Sequence, residues 1–210
     1  PLVTRAEMLA ELMRSKRSIA IAGSHGKTTT TSLVGTILDY AGLDPTIVNG
    51  GIINSYSKNN RFGQGNWMVV EADESDGSFL HLPHEINIIT NIDEEHLDYY
   101  KNKKNLISSF KKFINNIPFY GYSIICSDDL HIRQMVKNIK TRKIISYSLN
   151  NKSNIKKNNI KYNDKKTDFT ISIKKNVIPR YYGKYTFKVN LLGNHNILNA
   201  TGAIIASLIS

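Results

Sequence analysis

The segment Gly23-Ser24-His25-Gly26-Lys27-Thr28-Thr29-Thr30 carries the strongest chemical signal in the sequence. It follows the apolar run Ser18 to Ala22 and leads into a helical stretch, Thr28 to Ala41, that stops at Gly42. Glycines between a buried strand and a helix let backbone N–H groups approach anionic oxygens closely, and the helix N-terminus adds partial positive charge. Gly23, Ser24, His25, Gly26 and Thr29 would then line a phosphate cradle. Lys27 is placed to reach β- and γ-phosphates, and the Thr28 hydroxyl to ligate Mg2+. The loop is shorter than the general G-x-x-x-x-G-K-S/T pattern, because Ile21 stands where the first glycine belongs. The plainer reading of these residues is a tight strand-to-helix turn with a solvent-exposed lysine.

A phosphate loop needs an acid at the end of another strand to organise its metal. Trp67-Met68-Val69-Val70 runs into Glu71-Ala72-Asp73-Glu74-Ser75-Asp76. Glu71 stands where that strand ends, at the sheet edge where open α/β folds bind ligands. At least two of Asp73, Glu74 and Asp76 read as a solvated acidic turn. The next strand, Ile86 to Thr90, delivers Asn91-Ile92-Asp93-Glu94-Glu95-His96 to the same edge. Alone, His96 reads as a surface histidine; beside Lys27 and Glu71 it becomes a candidate second metal ligand. Imidazole suits Mn2+ better than Mg2+, so support by Mn2+ is expected too. The candidate catalytic set is therefore Lys27, Glu71 and His96, with Thr28, Glu71 and His96 as metal ligands.

The elements that must position these groups alternate strand and helix, which predicts a mainly parallel sheet flanked by helices. Thr4-Arg5-Ala6-Glu7 reads as a capping box opening a short helix with Met8, Leu9, Leu12 and Met13 on its apolar side. Further strands are expected at Thr46 to Val48 and Ile124 to Cys126, and helices between Asn102 and Asn116 and between Asp129 and Ile139. Past Lys143 the period changes to two: Phe169, Ile171 and Ile173, then Tyr185, Phe187, Val189 and Leu191, alternate with polar residues. That pattern predicts a smaller antiparallel sheet in the C-terminal third, preceded by a Lys/Asn-rich loop around Lys152 to Lys166. A last helix begins near Asn196.

The 210 residues are 40% hydrophobic, ordinary for one large globular domain. No apolar run approaches the roughly 18–20 residues of a membrane span, and the opening Pro1-Leu2-Val3-Thr4 has no signal-peptide pattern and reads as cut from something longer. The single cysteine, Cys126, excludes an internal disulfide and reads as a core thiol, which points to the cytoplasm. The net charge of +11 comes largely from Lys101 to Lys112 and Lys152 to Lys175. Without interleaved aromatics it argues for solvated faces and a field that favours anionic small molecules, and against nucleic acid.

The short loop Gly23 to Thr30, lacking its usual first glycine, resembles the nucleotide loop of the Mur ligase family. Leu192-Gly193-Asn194-His195-Asn196-Ile197-Leu198-Asn199-Ala200 is similar to that family's G-x-H-N-x-x-N segment. The resemblance spans residues 1–210 as one central ATP-binding domain. It implies that Asn196 and Asn199, three apart on one helical face, contact adenine, although Asn196 alone could equally be a helix N-cap. Within the family it runs to the branch that joins L-alanine to UDP-N-acetylmuramate. Glu71 to Asp76 with Ser78 to Leu82, Pro45 to Gly51, and Asn115 to Gly121 carry that likeness. The murein-recycling branch usually has tyrosine where Ser75 stands. Related ligases also carry a carbamylated lysine where Phe110 falls here, with Lys111 adjacent.

The resemblance implies ATP-dependent ligation through an acyl phosphate, with peptidoglycan precursors as the setting. It further implies N-terminal UDP-binding and C-terminal domains that these residues do not include, so that the domain alone is expected to be inactive. Asn49, Gly50 and Gly51 are candidates for the muramyl group. The competing readings are a nucleotide-dependent switch and a nucleic-acid-associated ATPase. Neither accounts for Asn196 and Asn199, and no N-K-x-D guanine-reading segment is present.

Overall fold

The structure of the protein is a computed structural model that describes residues 2–53, 58–150 and 152–210. Helix α1 (Arg5–Arg14) opens on the expected capping box: the Thr4 hydroxyl accepts from the Glu7 amide, and the Glu7 carboxylate accepts from the Thr4 amide. It packs through Ala10 and Met13, whereas Met8 and Leu12 are half exposed. The apolar stripe is thus wider than the face the sheet covers; its outer half borders a groove with Val48 and Phe62.

Ten strands form one sheet among the described residues, in the order β10-β9-β8-β7-β6-β5-β1-β4-β2-β3. The parallel part is built from β1 (Arg17–Ala22), β2 (Thr46–Ile53), β4 (Trp67–Glu71), β5 (Ile86–Ile89), β6 (Tyr122–Cys126) and β7 (Lys143–Ser148). The short strand β3 (Lys58–Arg61) pairs antiparallel with β2 at one edge. At the other, β8 (Ile155–Asn163) joins β7 in parallel, and β9 (Lys166–Ile173) and β10 (Gly183–Val189) follow antiparallel. The expected antiparallel strands therefore extend the main sheet.

Strand β8 also corrects the expected Lys/Asn-rich loop. Its lysines and asparagines sit on a strand because the backbone pairs with β9 from Ile155–Ile173 to Asn163–Lys166, on both sides of an irregularity between Asn158 and Lys161. Backbone pairing of this kind tolerates polar side chains on the open face.

Strand β1 alternates between two cores, as a strand buried on both faces must. Ile19 and Ile21 pack with Val34, Leu38, Ile88, Tyr147 and Ile205 under α2 (Lys27–Tyr40) and α6 (Asn194–Ile209). Ala20 and Ala22 join Val70, Phe79, Phe110 and Phe113 on the side of α4 (Lys103–Asn115) and α5 (Leu130–Val136). The short helix α3 (Leu97–Tyr100) follows β5. No described helix is long and apolar enough to cross a membrane.

Candidate nucleotide and metal site

Because β1 lies between β4 and β5, the segments that follow these three strands converge at one edge of the sheet. The loop after β1 turns through two left-handed glycines, Gly23 at φ 136° and Gly26 at φ 81°. A Cβ on Gly23 would lie 2.1 Å from Thr90 Oγ1 and 2.9 Å from the Asn91 carbonyl, so the loop can sit this close to β5 only as glycine. Gly26 is the N-cap of α2 and supplies no side-chain acceptor, so the amides of the first turn, Lys27 to Thr29, keep their hydrogens directed out of the helix. The amides of Ser24 and His25, by contrast, donate to the carbonyl and side-chain oxygens of Asn91 (3.2 and 2.8 Å). Those two residues anchor the loop, and the cradle proper begins at Gly26. The exposed His25 ring faces Asp93 at 3.0 Å and Glu95 at 3.5 Å.

Lys27 folds back over its own loop, donating to the Gly23 carbonyl at 2.7 Å and to Glu74 Oε1 at 3.0 Å. Glu74 Oε2 lies at the same 3.0 Å from the ammonium, an ion-pair contact outside hydrogen-bond geometry. Burial pushes the Glu74 carboxyl above its ordinary range, against the opposing pull of Lys27. Asp73 and Asp76 are solvated, as expected for two of the three acids after Glu71. The third, Glu74, is only 1% exposed and is the functional group that sequence reasoning passed over. Tyr100 fixes it from outside the motif, its hydroxyl donating to the Glu74 carbonyl.

Glu71 meets Thr28 rather than Lys27. The Thr28 hydroxyl donates to Glu71 Oε1 at 3.1 Å, and the Gly50 amide donates to Oε2 at 2.7 Å. Two hard oxygens at this spacing fit Mg2+, whose octahedral bonds of about 2.0–2.1 Å put neighbouring ligands about 2.9 Å apart. His96, held at φ 57°, is 3.9 Å from Glu74 Oε1 and is grouped with Glu74 and Glu95 within 4.8 Å, a set without Glu71. The metal candidates are therefore split: Thr28 with Glu71, and His96 with Glu74. On α6, Asn199 is buried against the loop, its side chain occupying the space a Cβ on Gly26 would need. Asn196, one turn earlier, donates to the Leu192 carbonyl, and the N-cap of the helix is Gly193.

A glycine loop between β1 and α2, closed by Asn199 from a later helix and faced by acids from the end of β4, is a specific arrangement. The sequence profile of the Mur ligase middle domain matches residues 21–207. The chain belongs to the Mur ligase family. This Mur ligase domain is 50% identical over 208 residues to the UDP-N-acetylmuramate–L-alanine ligase of Rhizobium etli, covering 97% of the chain and 43% of that protein. Among solved structures it matches a UDP-N-acetylmuramate–alanine ligase from Thermotoga maritima with a TM-score of 0.79 at 26% identity, over 95% of this chain and 43% of that one. A MurF ligase from Thermotoga maritima, solved in complex with ADP, shares the fold with a TM-score of 0.72 at 16% identity, over 98% of this chain and 49% of that one. The chain thus spans about 43% of the length of the curated relatives it matches. In this Mur ligase domain Phe110 is fully buried against Phe79 and Phe113, and the half-buried Lys111 lies beside it on α4.

Proposed function

We propose that this chain is the ATP-binding domain of a UDP-N-acetylmuramate–L-alanine ligase, joining L-alanine to the muramyl carboxylate in peptidoglycan precursor synthesis. The observation that carries the reading is the 50% identity to an enzyme of that name across 97% of the chain. The convergence of Lys27, Thr28 and Glu71 at one sheet edge supports it. The lactyl carboxylate attacks the γ-phosphate of ATP, giving an acyl phosphate and ADP; the alanine amine then attacks the acyl carbon and phosphate leaves. Carboxylate and triphosphate repel each other, so the site must supply positive charge and hold the reactants in line.

In this reading Lys27, fixed by Glu74 and the Gly23 carbonyl, sets an ammonium at the cradle. The first-turn amides of α2 receive phosphate oxygens, with Gly23, Ser24, His25, Gly26 and Thr29 shaping the loop around them. Thr28 and Glu71 would hold Mg2+, and His96 would serve a second cation where Mn2+ could substitute. A bound divalent cation neutralises charge on the phosphate oxygens. Asn196 and Asn199 face the adenine, Asn199 after release from its contact with Gly26. Domains outside these residues bind the UDP moiety and close over ATP. The buried thiol of Cys126 fits a cytoplasmic setting.

The test is ADP formation that depends on both UDP-N-acetylmuramate and L-alanine. We expect it from a protein extended to the relatives' full length, undetectable turnover from these 210 residues alone, and a loss of at least about 1000-fold in Lys27→Ala. Hydrolysis of ATP indifferent to alanine would instead support a nucleotide switch, and stimulation by polynucleotide a nucleic-acid-associated ATPase.

A further inference from the structure

Residues Asn49 to Gly51 of β2 contact both members of the Thr28–Glu71 pair. Strand β2 runs parallel to β4 with Val48 opposite Val70, which brings Asn49 to Gly51 alongside the end of β4, where Glu71 stands. Three contacts follow from that register. The Asn49 side-chain amide, in a residue only 3% exposed, donates to Ser32 Oγ at 2.9 Å and to the Thr28 carbonyl at 3.3 Å, pinning the first turn of α2. The Gly50 amide holds Glu71 Oε2 at 2.7 Å, which leaves Oε1 turned toward the Thr28 hydroxyl. Gly51 lies so close to Thr28 that a Cβ there would be 2.8 Å from its methyl group.

The glycine at position 50 matters for space as well as for its N–H. A Cβ there would stand 3.0 Å from each carboxylate oxygen of Glu71. The carboxylate would have to give by a few tenths of an ångström, which strains its bond to the amide and shifts its aim at Thr28. A strand that ended in ordinary residues would leave Glu71 free among its rotamers, and a cation would then have to order it on binding.

We propose that Asn49 and Gly50 are positioning residues that pre-set the Thr28–Glu71 oxygen pair for a divalent cation. The inference rests on the reading of that pair as the Mg2+ site. It gives the Asn49–Gly51 segment a role toward the metal, separate from any contact with the sugar.

The experiment is a double-mutant cycle in which Mn2+ uptake by the protein in the presence of ADP is followed by electron paramagnetic resonance. Gly50→Ala should weaken Mn2+ binding about tenfold, the loss expected when a charge-assisted hydrogen bond is strained out of line by the added methyl group. Its affinity for ADP in EDTA and its thermal midpoint should stay at the wild-type values, which a merely structural glycine would not allow. In a Glu71→Ala background the same substitution should have no further effect on Mn2+. Equal Mn2+ affinity in wild type and Gly50→Ala, or an undiminished loss without the Glu71 carboxylate, overturns the inference.

If Gly50→Ala does not fold, Asn49→Ala completes the cycle. It adds no atom near the carboxylate and should lower Mn2+ affinity by a larger factor than ADP affinity in EDTA; no change in Mn2+ affinity overturns the inference. Wild-type protein that takes up no Mn2+ with ADP would overturn the metal reading itself. That result is distinguishable because the parent fails along with the variant.

Discussion

Lys157 is the residue whose chemistry is most at odds with its surroundings. It lies on β8 opposite Ile171, only 6% exposed, and its ammonium has no hydrogen-bond partner among the described residues. Burial pushes its pKa down to about 7, with Cys126 and Asp128 pulling weakly the other way. An unfolded lysine keeps its proton up to about pH 10.4, so between these values the unfolded chain binds more protons than the folded one. Stability should therefore rise as pH goes from about 7 toward 10.4, and be lowest at and below neutrality. Lys157→Met should raise stability at pH 7 by about 1 kcal/mol or more, since it removes the cost of burying an unpaired charge. It should also flatten the rise. Urea denaturation of both proteins at several pH values between 6 and 10 checks the prediction.

At the scale of elements, the decisive piece is the loop between β1 and α2. Its two left-handed glycines let it pass between Thr90 and Asn199 without a side chain. Gly23→Ala places a Cβ against backbone and β-branched atoms that cannot retreat, in a conformation L-residues rarely adopt. We expect a loss of about 2–4 kcal/mol in urea denaturation, and weaker nucleotide binding in calorimetry. This element was legible in the sequence because glycine spacing, a buried strand and a helix start are local signals. Glu71 was legible for the same reason, standing at the end of an apolar run. Glu74 was not: its burial depends on Lys27, on Tyr100 from α3 and on the packing of β4 beside β1, none of which is written in its neighbours. Strand β8 was hidden by its composition, since its ladder to β9 is made by backbone groups and its one buried polar side chain, Lys157, breaks the apolar alternation. The split of the metal candidates, His96 toward Glu74 and Glu71 toward Thr28, likewise depends on how the segments after β4 and β5 turn.

On the scale of the whole molecule, one sheet joins a parallel half that builds the site to an antiparallel edge whose last strand, β10, lines a pocket with Thr28 and Thr29. Helix α6 ties the two together, packing on α2 and covering the core beneath β6, β7 and β9. It buries Ile197, Ile204 and Ile205, each worth about 1.5–3 kcal/mol, together comparable to the total stability of an ordinary domain. A chain ending before Asn194 should therefore fail to unfold cooperatively on heating, and calorimetry should find no nucleotide binding. The contact between Asn199 and Gly26 has a further consequence, for the order in which the molecule is made. The phosphate loop leaves the ribosome well over a hundred residues before the helix that closes it. Its long-range contacts cannot form until that helix has been made. Nucleotide can thus reward the finished domain, and cannot act as a template on which its first half folds.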